Sequence, residues 1–532
     1  MNTLANKYDF LLIHSLDKVF LQKIKLFTNL KEQEVFPGIF IFYEGKKIDD
    51  IRQLPQIRLV EDSIHISSDK LGLTNNYLYQ IDSKDFIITN SLNILSKLFN
   101  LEIDFEKFAS RWLYMNQLSD QSILKNAIRV TLGNSIAIDR NGFKIIKENW
   151  SPDFDDNYIP KNIFLEMLMD QIEKRLRNEN VLLSLSGGLD SRVILSVLLN
   201  ITSIKWESFS LGSPNLPDCR IASIISKKFA FKHKIIDKPD LEASAFIKFL
   251  TEYLLSLEVT NPASNALIMI NYNYLIQPDA IIIDGGFGEI WRRQYLNRLS
   301  TLGKHYLIKR DYQEISKFLR HYKPPLFNNE ITALLEKSVI EELSAFITSL
   351  PDINKIGIEN WLDLFSIKSR LPNFFGFEQN RLDKIIPSYM PFADIELIKN
   401  IFKVKVSDRK NGKLFNYILK KLNPNLTDIK LVRSNKFIPF TTNNFLSALY
   451  SKLFPFYAKE ENHYQKRFFS FVKEFSQDIL TSSEVITNEH YDKNFINNLR
   501  DRIYANDINC IKDLDWFLSF EIYRRSLSQK PI

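Results

Sequence analysis

Residues 181–199 read VLLSLSGGLDSRVILSVLL. The first five residues form an apolar run of strand length, and the residues from Arg192 to Leu199 have the composition of a buried helix. Between them lies the turn Ser186-Gly187-Gly188-Leu189-Asp190-Ser191. A strand that passes through two glycines directly into a helix predicts a βαβ unit, and such units build parallel sheets.

The segments around this turn repeat the alternation of helix and strand. The predicted elements are a helix over 163–177, a strand over 181–185, a helix over 192–199, a strand over 204–210, a helix over 220–229 and a strand over 234–236. Alternation of this kind is typical of an α/β domain in which helices cover a parallel sheet.

The residues before this region have a different pattern. Short apolar runs of strand length lie at 10–13, 39–42, 86–89 and 135–138, and the turn at 139–142 predicts a hairpin. A polar, proline-containing stretch from 150 to 160 is typical of a linker. The predicted fold class is therefore α/β. A mixed α+β sandwich over 1–150 precedes a parallel-sheet domain over 160–532, which is largely helical beyond about residue 300.

The composition excludes several classes of protein. The 532 residues include two cysteines, Cys219 and Cys510, which excludes a disulfide framework and a cysteine-rich zinc site. The net charge of +7 is mild for this length and the basic runs, such as Arg292-Arg293, are short, so we do not expect a nucleic-acid partner. No apolar run approaches the ~18 residues of a membrane span, and residues 1–20 lack the pattern of a signal peptide. We expect a cytoplasmic protein with no membrane span.

The turn at Ser186–Ser191 has the chemistry of a phosphate site. Two glycines let the backbone approach a ligand closely, and successive N–H groups at a helix N-terminus attract an anion. Ser186 and Ser191 can donate to phosphate oxygens, whereas Asp190 would repel phosphate unless Mg²⁺ lay between them. ATP and Mg²⁺ are therefore the predicted cofactors. The residues predicted to bind ATP here are Ser186, Gly187, Gly188, Leu189, Asp190 and Ser191.

Two further observations bear on this turn. It lacks the Gly-Lys-Ser/Thr of a Walker A loop, so it suits pyrophosphate as a leaving group better than transfer of a γ-phosphoryl group. The alternative is an ordinary turn from strand to helix, in which Asp190 or Ser191 caps the helix.

The same turn resembles the pyrophosphatase loop of the asparagine synthetase-like ATP ligases. Other segments similar to that family follow in its order: Asp69–Gly72, Tyr77–Tyr79 and Phe86–Ser91 in an amidotransferase-type N-terminal domain, then Phe209–Leu211, Asp218–Ala222, His233, Asp284–Glu289, Pro391–Asp394, Lys413, Leu422–Pro424 and Arg433–Pro439. The loop is the most specific part of the resemblance.

The resemblance implies an AMP-forming amide ligase. In such enzymes a carboxylate attacks ATP to give an acyl-adenylate and pyrophosphate, and ammonia or an amine then displaces AMP. The resemblance makes Asp190 a metal ligand near the leaving pyrophosphate and Lys413 the group that stabilises adenylation. A solvated lysine is the alternative for Lys413. The residues implied for ATP binding outside the loop are Ser210, Gly285 and Gly286.

The segment Asp284-Gly285-Gly286-Phe287-Gly288-Glu289 departs from the family, which has adjacent aspartate and glutamate there. An apolar strand enters this glycine-rich turn, which again suits close approach to a ligand. We expect Glu289 to act in catalysis and Asp284 to bind metal, with Glu289 as the alternative metal ligand. A tight turn in which Glu289 favours a helix N-terminus is the other interpretation.

The N-terminal region departs from the family as well. Its glutamine-hydrolysing members expose a cysteine at the mature N-terminus, whereas this chain begins Met1-Asn2-Thr3 and its first cysteine is Cys219. We therefore expect no release of ammonia from glutamine. The N-terminal domain would be a structural remnant or a docking surface, and ammonia or an amine would supply the nitrogen.

Three functions are compatible with these patterns. The first is an amide ligase that acts on a small-molecule or peptide carboxylate, with a homodimer as a possible assembly. The second is a scaffold that keeps the fold without the chemistry. The third is an ATP pyrophosphatase that acts on tRNA, which the diffuse charge does not favour.

Overall fold

The computed structural model describes most of the chain. The described residues are 10–14, 31–36, 38–43, 57–82, 85–114, 116–148, 150–154, 157–237, 241–256, 258–259, 261–277, 280–433, 435–441 and 461–528. Residues 1–3, on which the expectation about glutamine rests, lie outside them. The predicted fold class is confirmed, because antiparallel sheets come first, a parallel sheet with helices follows, and the C-terminal part is helical.

Two antiparallel sheets form the N-terminal sandwich. Their orders are β2-β3-β1-β7-β6-β8 and β10-β9-β5-β4. The elements are β1 (Phe10–His14), β2 (Lys31–Phe36), β3 (Ile39–Tyr43), β4 (Ile57–Val60), β5 (Ser63–Ser67), β6 (Asn76–Gln80), β7 (Phe86–Thr89), α1 (Leu92–Leu98), α2 (Phe105–Leu113), β8 (Ala127–Val130), β9 (Ser135–Asp139) and β10 (Gly142–Ile146). The predicted hairpin at 139–142 joins β9 to β10.

Strand β1 shows how the sandwich is attached to the rest of the molecule. Successive side chains of a strand point to opposite faces of the sheet. Phe10 and Leu12 therefore face the second sheet and pack in the core between the two sheets. Leu11 and Ile13 face the other way and belong to a larger core that includes the C-terminal helices.

The parallel sheet has the order β13-β12-β11-β14-β15, and all neighbouring strands are parallel. Its elements and their neighbours are α3 (Lys161–Leu176), β11 (Asn180–Ser184), α4 (Leu189–Leu198), β12 (Lys205–Leu211), α5 (Pro217–Phe229), β13 (His233–Ile236), α6 (Ala243–Leu255), α7 (Ala266–Met269), β14 (Ala280–Ile283) and α8 (Gly288–Trp291). The strand order reverses between β11 and β14. In open parallel sheets, ligands bind outside the carboxyl ends of the strands at such a switch point.

The remaining elements are mainly helical. They are α9 (Asn297–Leu302), α10 (Lys304–Lys309), α11 (Tyr312–Leu319), α12 (Asn329–Ser349), α13 (Ile353–Ile356), α14 (Ile358–Lys368), a π-helical turn (Leu371–Phe375), α15 (Gly376–Asp383), β15 (Ser388–Tyr389), α16 (Ile395–Ile401), α17 (Val406–Arg409), α18 (Lys413–Leu422), the hairpin strands β16 (Leu431–Arg433) and β17 (Lys436–Ile438), α19 (Glu461–Thr481), α20 (Ser483–Ile486), α21 (Lys493–Tyr504) and α22 (Ile511–Leu527). In the described part of the chain, every helix is too short or too polar to cross a membrane.

One predicted boundary next to the key turn was wrong. Helix α4 begins at Leu189 and not at Arg192, so Asp190 and Ser191 lie in its first turn. The N-cap is Gly188, and no side chain caps the helix. Neither Asp190 nor Ser191 therefore acts as the cap, and both side chains remain available to the site.

A buried ionic network joins the sandwich to the second half of the chain. Arg111 of α2 donates to Glu258 (3.2 Å), and both side chains are fully buried. Arg111 also donates to the carbonyl of Asn373 in the π-helical turn (2.5 Å). Buried charges need such partners, because an unpaired one costs several kcal/mol. The predicted domain boundary at 150–160 stays a prediction, since α22 also packs on the sandwich through the bond from Leu101 N–H to Leu527 O (3.0 Å).

Candidate functional site

The loop Ser186–Ser191 lies at the switch point, directly after β11. Its hydroxyls brace its backbone: Ser191 Oγ accepts from Ser186 N–H (3.2 Å), and Ser186 Oγ accepts from Gly188 N–H (3.2 Å). The N–H of Gly187 donates to a carboxylate oxygen of Asp218 (2.7 Å). The loop therefore already holds one anionic oxygen at a backbone amide, which is the interaction that a phosphate oxygen would make.

The hairpin β16–β17 covers this loop. The N–H of Val432 donates to Gly187 O (2.9 Å). A Cβ on Gly187 would overlap the side chain of Val432. Glycine is required at 187 because the hairpin lies against the backbone there, as well as for any approach of a ligand.

Arg192 fixes the hairpin to the loop, and sequence reasoning missed it. Its side chain is completely buried in α4. Its guanidinium donates to four backbone carbonyls, namely those of Gly187 (3.3 Å), Leu426 (3.0 Å), Ile429 (2.8 Å) and Lys430 (2.9 Å). One buried side chain thus hydrogen-bonds to carbonyl groups of both the loop Ser186–Ser191 and the segment that leads into β16. No local pattern distinguishes this arginine from a surface one.

Ser210 and His233 support the loop from the neighbouring strands. Ser210 is buried, and its hydroxyl donates to Leu185 O (2.6 Å), immediately before the loop. His233 lies near the hydroxyls of Ser208 (2.8 Å) and Ser210 (3.4 Å), and burial lowers its pKa to about 4. A neutral His233 that pairs with serines is a structural group. The Ser210 hydroxyl is used within the protein.

The segment Asp284–Glu289 lies on the other side of the switch point, after β14. A Cβ on Gly285 would lie 2.8 Å from Ser191 N, and one on Gly288 would lie 2.6 Å from Asp190 Cγ. Gly285 therefore packs against the backbone of the other loop, and Gly288 packs against the side chain of Asp190. Gly286 contacts Met390, and its N–H donates to Asp284 Oδ1 (2.6 Å).

Asp190 is paired with an arginine. Oδ2 of Asp190 accepts from Nη2 of Arg292 (2.8 Å), and Arg292 Nε lies 2.7 Å from Oδ1. Burial raises the pKa of Asp190 to about 6, Arg292 opposes this rise, and Glu289 adds to it. Glu289 in turn accepts from Arg370 Nε (2.7 Å). Each of the two neighbouring acids therefore has a guanidinium partner.

Asp190 and Glu289 are the two acids here whose oxygens could bind a metal ion. Oδ1 of Asp190 is buried and lies 2.7 Å from Arg292 Nε, so a cation at this oxygen would have to share it with the guanidinium. The charge of the nearby Glu289 contributes to the raised pKa of Asp190. The described residues contain no group of three or more His, Cys, Asp or Glu side chains that could hold a metal by themselves. The arrangement suits one Mg²⁺ that shares its oxygen ligands with a phosphate.

Asp284, the other predicted metal ligand, faces a different group. Burial raises its pKa to about 6. Burial raises the pKa of Asp383 to about 7, and the charge of Asp284 adds to this rise. The charge of Asp284 also raises the pKa of Tyr272. Asp284 thus belongs to a cluster toward β15. The structure brings Glu289 together with Asp190, and it does not bring Asp284 there.

Asp284→Asn is expected to raise the midpoint of thermal unfolding at pH 8 by roughly 1–2 °C. The folded state raises the pKa of this acid from 3.8 to about 6, so the carboxyl stabilises the fold at low pH. That contribution is lost as the pH rises through about 6. Asparagine stays neutral and keeps the acceptor for Gly286 N–H. Scanning fluorimetry at pH 8 and pH 5 should show a difference that shrinks at pH 5, and a pH-independent difference would contradict the assignment.

Lys413 lies close to the site but not in it. It is exposed and is the first residue of α18. The preceding Gly412 N–H donates to the carbonyl of Arg292 (3.0 Å). A cavity of about 440 Å³ contains the two acids, and Lys413 is not among its lining residues. These residues are Gly188, Leu189, Asp190, Glu289, Arg292, Gln294, Tyr295, Leu431, Val432, Arg433, Ile438 and Thr441.

A second cavity, of about 380 Å³, lies on the opposite side of the hairpin. It begins at the carboxyl ends of β12 and β13, where Leu211, Gly212 and Asp237 line it, and Asn435 of the hairpin turn closes it. Phe468 of α19 adds an apolar wall. The hairpin thus borders both cavities, and the second has apolar walls as well as charged side chains such as Asp237 and Arg467.

Comparison with known proteins agrees with this geometry. Residues 164–269 match the family model described as "Asparagine synthase". The chain contains an asparagine synthase-like domain. The match includes β11, the loop Ser186–Ser191, α4 and the strands β12 and β13, and ends before Asp284. The family resemblance seen in the sequence is thereby confirmed over residues 164–269, and the amidotransferase-like character of the N-terminal domain stays a prediction. Proteins of this family are ATP-dependent amide ligases, generally with Mg²⁺. No curated protein matches the chain.

Proposed function

We propose that the asparagine synthase-like domain activates a carboxylate with ATP and then joins it to ammonia or an amine. The observation that carries the proposal is the braced loop Ser186–Ser191 at the switch point, with Asp190 in the first turn of α4 and Glu289 beside it. Acyl-adenylate formation needs groups that bind pyrophosphate and a negatively charged group that holds its cation, and the loop and these two acids are the candidates for those roles.

The two cavities suggest how ATP would bind. The second cavity, with its apolar walls at the ends of β12 and β13, suits a nucleoside, and the cavity that contains Asp190 and Glu289 suits phosphates. The chain of phosphates would then pass beneath Val432 and along Ser186–Ser191. The carboxylate of Asp218 accepts from the N–H of Gly187, so a phosphate oxygen that bound this N–H would have to displace it.

The chemistry would divide among the chain's own groups. Asp190 and Glu289 would hold Mg²⁺, which supplies positive charge to the leaving pyrophosphate. Lys413 would stabilise adenylation only if α18 and its preceding turn moved toward the cavity. Asp284, which has a raised pKa and lies away from Asp190, would sit on the side where the carboxylate or the amine enters.

ATP–pyrophosphate exchange against a panel of carboxylates tests the proposal. Exchange that depends on one acid and is lost in Asp190→Asn would support an acyl-adenylate. Silence with every acid, together with no shift of the unfolding temperature by ATP and Mg²⁺, would exclude the ligase. That outcome would favour the scaffold, for which the Arg292–Asp190 pair is the specific observation, because it fills the place of a bound cation.

We further expect glutamine to be a poor nitrogen donor. The sequence has no cysteine before Cys219, which is itself buried. Purified protein given glutamine, ATP and the activated acid should release no glutamate above background, whereas ammonium should support AMP formation. A coupled glutamate assay measures this, and stoichiometric glutamate release would overturn the expectation.

A further inference from the structure

Arg292 occupies the position next to Asp190 that a cation would otherwise take. It follows α8, and its backbone is held at both ends, with its N–H donating to Gly288 O (3.1 Å) and its carbonyl accepting from Gly412 N–H (3.0 Å). Its Nη1 donates to Gln294 (2.5 Å). Its side chain is 20% exposed, so the guanidinium lies inside the cavity wall.

Position 288 of the Asp284–Glu289 loop leaves little room for a side chain beside Asp190 as that carboxylate is placed. At position 288 a Cβ would lie 2.7 Å from Asp190 Oδ1 and 2.6 Å from its Cγ. A carboxylate at that position would therefore clash with Asp190 before it could share a cation with it. The loop approaches Asp190 through glycine, and Arg292 is the group that donates to the Asp190 carboxylate (2.8 Å).

The charged side chains that line the cavity determine whether it attracts a phosphate. Asp190 and Glu289 contribute two negative charges, and Arg292 and Arg433 contribute two positive ones. Arg433 lies near enough to Arg292 for the two guanidiniums to repel each other. Glu289 is already paired with Arg370. Removing Arg292 would therefore leave the Asp190 carboxylate without its guanidinium partner and would disfavour a phosphate beside it. An anion placed between the two arginines would relieve their repulsion.

We propose that Arg292 is a built-in counter-ion of the pyrophosphate site, which neutralises Asp190 and also contacts the pyrophosphate oxygens. The inference rests on the proposed function. It adds that Arg292 supplies pyrophosphate with positive charge. A second metal ion, held by acidic side chains, would otherwise have that role. Guanidinium groups bind phosphate through paired N–H donors, which makes an arginine suited to this role.

Binding of inorganic pyrophosphate to the full chain, measured by calorimetry with EDTA and with Mg²⁺, tests the proposal. In EDTA, Arg292→Gln should weaken binding by about tenfold or more, and Arg292→Lys should restore part of it. Arg298→Gln, which removes an exposed arginine of α9, is the matched control and should bind as the wild type does. Equal affinities for Arg292→Gln and Arg298→Gln would overturn the proposal.

Asp190→Asn gives an independent readout that a purely structural ion pair would not produce. Removing the carboxylate's charge leaves the positive charge of the guanidinium unneutralised, so pyrophosphate should bind more tightly in EDTA while the dependence on Mg²⁺ weakens. Weaker binding in EDTA would overturn the proposal. If the wild type binds neither pyrophosphate nor ATP with or without Mg²⁺, the proposed function itself fails. If it binds both and only the Arg292 variants are unaffected, the inference alone fails.

Discussion

Replacing Asp190 with asparagine is expected to lower the rate of ATP–pyrophosphate exchange by about 10²–10³-fold. The substitution keeps the volume and one acceptor oxygen, so Arg292 Nη2 retains a partner and the fold should persist. It removes the charge that would hold a cation against the leaving pyrophosphate. Exchange should be measured at saturating Mg²⁺ with the acid that the panel identifies.

Asp170→Asn is the matched control for this result. Asp170 is an exposed acid of α3 in the same domain, so its loss should leave exchange unchanged. A variant of Asp190 that exchanges as fast as this control would show that the first turn of α4 holds no catalytic cation. Unfolding temperatures of both variants close to that of the wild type would exclude misfolding as the cause.

Arg192→Met is expected to lower the free energy of unfolding by about 3–5 kcal/mol. Methionine fills part of the space but leaves four carbonyl oxygens without their donor, three of them in buried hydrogen bonds. The hairpin β16–β17 should then separate from the loop Ser186–Ser191 before the rest of the domain unfolds. Limited proteolysis, followed by mass spectrometry, should detect early cleavage between residues 426 and 441.

Arg220→Met provides the comparison for Arg192→Met. The Arg220 guanidinium lies 5.3 Å from the ring centroid of Phe437 in the same hairpin, but the residue is exposed. Its loss should cost well under 1 kcal/mol, as exposed contacts do. If both variants unfold at the same urea concentration and are cleaved at the same rate, the four carbonyl contacts of Arg192 do not hold the hairpin.

The parts of the fold that the sequence predicts are those with local signals. Apolar runs of strand length and the turn through Gly187 and Gly188 predict β11, the loop and the parallel sheet, because period and backbone freedom are properties of adjacent residues. The helix start was misplaced by three residues, since Leu189 and Asp190 carry no feature that separates a loop from a first helical turn.

The parts that the sequence does not predict are contacts across long separations. Arg292 meets Asp190 across 102 positions, and Arg370 meets Glu289 across 81. Arg292 is visible in the sequence only as half of a short basic run. Whether an arginine is solvated or paired with a buried acid depends on the tertiary packing of two loops, which has no periodic pattern. The same reason separates Asp284 from Glu289, although they are five residues apart.

The shared core of the sandwich and the last described helix has a consequence for synthesis of the chain. Leu11 and Ile13 of β1 and the aromatic face of α2 pack in one core with α22, where Phe520 meets Phe108 (5.6 Å between ring centroids). At roughly 5–20 residues per second, the ribosome would need on the order of 25–100 s between making β1 and making α22. During that interval the emerging sheet has one apolar face without its native cover. We expect a nascent chain of this design to need a chaperone, or to fold its N-terminal sheet only after α22 is made, to avoid aggregation.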